Sequence, residues 1–146
     1  MKILTVPNPI LRHKSLLVSS FNNELLELVN ELKRLLEQQK DPQGFGLSAP
    51  QIGILQRVFV GLIGQDFKVF VNPNILEVGR EKVSLLEGCL SVPEFYGHVI
   101  RPTSVKILSY TEFGKKFTRW YKGISARVIQ HETDHLDGIL FTDKAK

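Results

Sequence analysis

The chain has 146 residues, 42% of them hydrophobic and 23% charged, with a formal net charge of +4. That length fits one compact domain over residues 1-146 and argues against a second. The single cysteine, Cys89, excludes an intramolecular disulfide; no run approaches the roughly 18 apolar residues of a membrane span, and Pro7 and Pro9 interrupt any secretory-signal pattern, so the expectation is a soluble, cytoplasmic monomer with no membrane association.

Residues 1–20 carry short apolar runs broken by Pro7, Pro9 and Ser19-Ser20. They read as an extended arm laid on the domain, with His13 exposed. From Asn22 to Gln39, Leu25, Leu28, Val29, Leu32, Leu35 and Leu36 recur at helical spacing, which predicts an N-terminal amphipathic helix packed outside through its leucine stripe. Ser20 or Asn22 caps its start, and Asp41-Pro42 ends it because the residue before proline is pushed out of the helical region. Next comes GFGLSAPQIG, Gly44 to Gly53, with three glycines, one proline and no charge. Glycine lets backbone approach a ligand, so this stretch is either a substrate-cradling loop or a plain surface turn. It lacks the later glycine of a dinucleotide fingerprint and the Gly-Lys-Ser/Thr of a P-loop, which disfavours phosphate binding.

Arg57 to Ile63 and Phe67 to Val71 are rich in Val, Phe and Ile and predict a hairpin around Gly64-Gln65-Asp66. Asn72-Pro73-Asn74 is expected to break the sheet, with further short strands at Ile75 to Val78 and Val83 to Leu86. Ser104 to Tyr110 and Lys116 to Lys122 predict a second hairpin around Glu112-Phe113-Gly114. Lys115, Lys116, Arg119 and Lys122 read as the solvated face of a strand rather than a nucleic-acid site. Ile124, Val128, His131 and His135 share one face of a last helix, stopped at Gly138. Antiparallel strands with two separated helices give an α+β fold, antiparallel sheets around a central metal-binding helix.

The chemistry concentrates in His131-Glu132-Thr133-Asp134-His135. Residues four apart on a helix stack on one face, so His131 and His135 can serve one divalent cation. Glu132, about 100° further round, can reach a water at that cation without being a ligand. Two solvated histidines are the plain alternative, and a third ligand decides between them. Cys89, in Leu86-Glu87-Gly88-Cys89-Leu90-Ser91, supplies one. A lone cysteine is more often a small buried hydrophobe, but Cys plus two His leaves a fourth tetrahedral position open, the pattern of a catalytic site.

GFGLSAPQ, EGCLS and HETDHLDG, in this order and at these separations, resemble the three signature motifs of the peptide deformylases. The resemblance implies removal of the formyl group from N-formyl-methionyl nascent peptides, with release of formate, by a cytoplasmic enzyme using Fe²⁺ or Zn²⁺. Carried over residue by residue, it makes Cys89, His131 and His135 the ligands, Glu132 the general acid/base, and Gln51 with the backbone N–H of Leu90 the oxyanion donors. A wall at Gly46 and Leu47 in the Gly44-Phe45 loop would admit formyl and exclude acetyl. Phe45, Leu85, Ile124 and Val128 would line a methionine pocket, although core residues give the same pattern. Arg101 would pair with Glu87 and brace the cysteine loop; Asp134 would orient a ligand or anchor the helix. Two departures stand out: Ser48 replaces the usual alanine, adding a hydroxyl near the expected substrate, and the chain ends at Lys146 without the long C-terminal helix many members carry. The second puts ribosome docking through such a helix in doubt and leaves a transient ribosome contact as the expectation. The competing readings are a His-Glu-x-x-His metalloprotease, which would take Glu or a third His as its third ligand, and a non-catalytic metal-stabilised interaction domain, which would need neither Glu132 nor Gln51.

Overall fold

The leucine stripe folds into the helix α1 (Asn23–Glu37). Asn22 is its cap: its side chain accepts the N–H of Leu25 at 3.1 Å, an arrangement worth about 1 kcal/mol. The stop expected at Asp41-Pro42 lies outside the described residues, which in this computed structural model are 1–40 and 43–146. Leu25, Leu28, Val29, Leu32, Leu35 and Leu36 are buried and pack on Leu47, Val58, Val60, Val69 and Val71. Those partners belong to β1 (Gly46–Ser48), β2 (Val58–Ile63) and β3 (Asp66–Val78), and the remaining strands are β4 (Lys82–Cys89), β5 (Val92–Pro102), β6 (Ser104–Tyr110) and β7 (Lys116–Lys122).

The strands pair antiparallel in two sheets, β1-β2-β3-β6-β7 and the hairpin β4-β5. The last helix, α2 (Gly123–Leu136), lies between them. Its Ala126, Ile129 and Leu136 are buried with Phe59, Phe70, Val105 and Ile107 of the larger sheet. The hairpin has its own apolar cluster, in which Val92 and Val99 meet Leu11, Leu140 and Phe141. Among the described residues no helix is long and apolar enough to cross a membrane.

Two expectations need correction. Asn72-Pro73-Asn74 does not break the sheet; β3 runs through it to Val78. The missing N–H of Pro73 falls where the register with β6 jumps from Val71 to Asn74, a bulge that tolerates proline. Asn72 takes a left-handed backbone, φ 49°, and anchors it by accepting the N–H of Val18 at 2.8 Å and donating to its carbonyl at 3.0 Å. The second correction is β5, a strand of eleven residues that the pattern did not announce. In the β4-β5 hairpin the inward face carries Glu87 and Arg101 beside Val99, all buried, while outward Leu86, Tyr96 and Ile100 are exposed. Charge inside and apolar side chains outside invert the alternation by which a half-buried strand is recognised.

Candidate metal and acyl site

Three segments converge between the sheets. The stretch read as a loop or a surface turn is β1 followed by a tight helical turn at Ala49–Ile52, with Leu47, Ser48, Ala49, Gln51 and Ile52 buried. Cys89 ends β4, and the Leu90-Ser91 turn returns the chain to Val92. His131 and His135 point from α2 with ring centroids 5.1 Å apart.

Cys89 Sγ is 3.2 Å from His135 Nε2, and one ligand atom from each of Cys89, His131 and His135 lies within 4.8 Å of the others. Donors so grouped can share one ion at the usual distances of about 2.0–2.3 Å. His131 Nδ1 is 3.0 Å from Glu87 Oε1. With its proton on Nδ1 the ring donates to that carboxylate and turns a bare Nε2 to the cluster, as metal-ligating histidines do. Burial would raise the pKa of Glu87, but hydrogen bonds from His131 and Arg101 hold it at about 2. Arg101 donates from Nε at 2.6 Å and Nη2 at 3.0 Å, so the expected pair is present.

The electrostatics fit a divalent cation. Burial opposes charge on His131, yet its contacts with Cys89 and Glu87, together with the Glu132 charge, lift its pKa to about 10. The cluster therefore gathers positive charge at the nitrogen that a metal would take in place of a proton. Burial drives the pKa of His135 well below its usual value, keeping it a neutral donor. Glu132 is pushed up to about 7, chiefly by burial. Among the described residues its Oε1 is buried without a hydrogen-bond partner, and its Oε2 is 3.9 Å from His131 Nε2. Such a carboxylate is poised to exchange a proton.

Gln51 faces the cluster from the other side. Its Oε1 accepts from Ser48 N–H and from Ser48 Oγ–H, both at 2.9 Å. Nε2 donates to Ser91 Oγ at 3.0 Å and stands 3.6 Å from Cys89 Sγ. The Ser48 hydroxyl is wholly buried and is engaged with Gln51. At Gly46, an added Cβ would lie 2.6 Å from Glu132 Oε2, so glycine is what lets β1 approach the carboxylate. The Leu47 side chain belongs to the core under α1, where Leu90 also packs; a part for either at the site is played by its backbone. A Cβ on Gly44 would meet Leu36 and Leu90. Phe45, Leu85 and Ile124 are exposed, whereas Val128 is buried beside Gly61. Asp134 accepts from Arg101 at 2.9 Å and pairs with Lys144 at 3.0 Å, which makes it an anchor of the helix.

Sequence reasoning missed Ser91, the Glu87–His131 contact and Arg127, which also donates to Glu87. Arg127 had a signal: a cation one helical turn before His131, on a face otherwise read as apolar.

A family model described as polypeptide deformylase matches residues 1–146. The chain is 43% identical over 143 residues to a peptide deformylase of Caldicellulosiruptor bescii, covering 98% of this chain and 84% of that protein. It superposes on a peptide deformylase of Plasmodium falciparum in complex with an inhibitor, with TM-score 0.92, 41% identity and coverage of 99% of this chain and 89% of that one. For the peptide deformylase of Thermotoga maritima the values are 0.91, 35%, 99% and 97%. The three motifs, the centre they form and a match running the full length agree, and the chain belongs to the peptide deformylase family.

Proposed function

We propose that this chain is a single catalytic domain that hydrolyses the formyl–nitrogen bond of N-formyl-methionyl nascent peptides, releasing formate. The observation that carries the reading is the grouping of Cys89, His131 and His135 beside a buried Glu132 whose Oε1 has no partner among the described residues. Cys89, His131 and His135 hold Fe²⁺ or Zn²⁺. When bound, the ion supplies Lewis acidity and brings the pKa of water toward neutrality. Glu132 takes the proton from the attacking water and returns it to the leaving amine. Gln51 Nε2 and the Leu90 N–H donate to the developing oxyanion, where one such donor is worth roughly 3 kcal/mol. Gly46 and the Leu47 backbone limit the acyl group, Gly44 shapes the approach, and Phe45, Leu85, Ile124 and Val128 receive the methionine side chain. The enzyme works in the cytoplasm as a monomer with transient ribosome contact.

Protein prepared without oxygen and loaded with Fe²⁺ is expected to release formate from formyl-Met-Ala-Ser, and to spare the acetyl analogue. Glu132→Gln should retain metal and lose on the order of 10²–10⁴ in kcat. No turnover by the loaded protein would overturn the activity; full turnover by the variant would remove Glu132 from its role.

A further inference from the structure

The metal donors come from two bodies that share little apolar contact. His131 and His135 ride on α2, whose buried apolar residues Ala126, Ile129 and Leu136 pack with the five-stranded sheet. Cys89 rides on the β4-β5 hairpin, whose cluster draws on Leu11, Leu140 and Phe141 and on no residue of α2. Beyond the stacking of His131 on Phe141, with ring centroids 6.1 Å apart, the contacts that set one body against the other are polar. Arg101 on β5 reaches Asp134, Gln130 Nε2 donates to the carbonyl of Pro102 at 3.0 Å, and His131 meets Glu87. Arg127 makes more of this junction than any of these. Its Nη1 donates to Glu87 Oε2 and to the carbonyl of Val99 at 3.1 Å, and its Nη2 donates to the carbonyl of Val83 at 2.9 Å. One guanidinium thus spans both strands of the hairpin.

Its contact with Glu87 also completes that carboxylate. Oε1 receives Arg101 Nη2 and His131 Nδ1; Oε2 receives Arg101 Nε and Arg127 Nη1. A carboxylate has about four acceptor positions, so none is left over. Arg101 and Glu87 lie on the same hairpin and move together. Arg127 and His131 are the two groups of α2 that grip Glu87, and they hold it at adjacent turns.

We propose that Arg127 is a positioning residue for the metal centre: it docks the Cys89 hairpin on α2 and fixes Glu87 against His131, so that Cys89, His131 and His135 meet in ligating geometry. This rests on those three residues being the ligands. Its electrostatic effect has the opposite sign, because a guanidinium near a cation repels it. If charge decided the outcome, removing Arg127 would tighten metal binding. Planar donors serving three acceptors decide it instead, and lysine cannot reproduce them.

The test is anaerobic titration of the metal-free full chain with Co²⁺, following the thiolate-to-cobalt absorption band, with far-UV circular dichroism and thermal midpoint recorded for each variant. Arg127→Met and Arg127→Lys are both expected to weaken Co²⁺ binding on the order of 10–100-fold, the range for partners of ligating histidines. Gln130→Met, which cuts a strap to the same hairpin without touching Glu87, should lower the thermal midpoint and leave Co²⁺ affinity unchanged. The proposal is overturned if Arg127→Met binds Co²⁺ as tightly as the parent or tighter, if Arg127→Lys keeps parental affinity, or if Gln130→Met loses as much affinity as Arg127→Met. Should Arg127→Met fail to fold, Arg127→Lys decides alone. A parent chain that binds no Co²⁺ would overturn the ligand assignment and this proposal with it, an outcome distinct from loss confined to the variants.

Discussion

Gly46 tests how closely this site is built. Its backbone pairs with Gly61 across β1 and β2, and the space its Cβ would fill is occupied by Glu132. An alanine there leaves two outcomes, a displaced β1 or a displaced carboxylate. The strand is fixed on one side by β2 and on the other by buried Leu47, so the carboxylate gives way. Gly46→Ala is therefore expected to keep the metal and the fold but to lower kcat on the order of 10²-fold, the cost of misplacing a reacting group by about an ångström. Metal content, circular dichroism and formate release together check it, and unchanged kcat would show that Glu132 has room to spare. Ser48 teaches the complementary lesson. From sequence its hydroxyl is expected near the substrate; in the fold it is buried and donates to Gln51 Oε1, since most buried hydroxyls find a partner.

At the scale of elements, the β4-β5 hairpin owes its place to charge. Glu87 is held at about 2 against an ordinary 4.5. A carboxylate depressed on folding contributes stability that is fully present above its unfolded pKa and is lost as pH falls through the folded one. The window is therefore from about 4.5 down to about 2. Glu31 and Asp143 are depressed as well, by Arg34 and Arg12, so acid destabilisation of the parent does not isolate Glu87. Comparison with Glu87→Gln does. Urea midpoints should show the parent well above the variant near neutrality and the gap closing as pH falls through that window; a gap independent of pH would count against the assignment. The same charges explain why this hairpin was hard to read. Leucines at helical spacing announced α1, and runs rich in Val, Ile and Phe announced β2 and β6, because in those elements burial follows hydrophobicity. In β5 the buried positions include Arg101 and the exposed ones include Ile100 and Tyr96, so the usual inference runs backwards. At Asn72-Pro73-Asn74 local turn chemistry pointed to a break, but a register shift against β6 absorbs the proline and the strand continues, with Asn72 hydrogen-bonded to Val18.

Across the whole molecule, the candidate ligands were legible because coordination restricts residue type and spacing: a His pair one helical turn apart and a single cysteine leave few combinations. The residues around them were less so: Glu87 meets His131, Arg127 meets Glu87 and Ser91 meets Gln51 only once distant segments fold together. That division has a mechanical consequence. A cation held by Cys89 from the hairpin and by His131 and His135 from α2 would be a crosslink between two bodies joined otherwise mainly by polar contacts, and its binding free energy would add to the stability of their docking. At a free metal concentration 100 times the dissociation constant the addition is about 2.7 kcal/mol. Removing the metal with a chelator should therefore lower the thermal midpoint, and the loss should be uneven. Amide hydrogen exchange is expected to accelerate most in β4, β5 and the Leu90-Ser91 turn, less in α2, and least in β2 and β3, whose core with α1 contains no ligand. Restoring Fe²⁺ or Co²⁺ should reverse the pattern in that order of magnitude. Uniform acceleration across both sheets would mean that the metal stabilises one cooperative unit, and the two-body description would have to be given up.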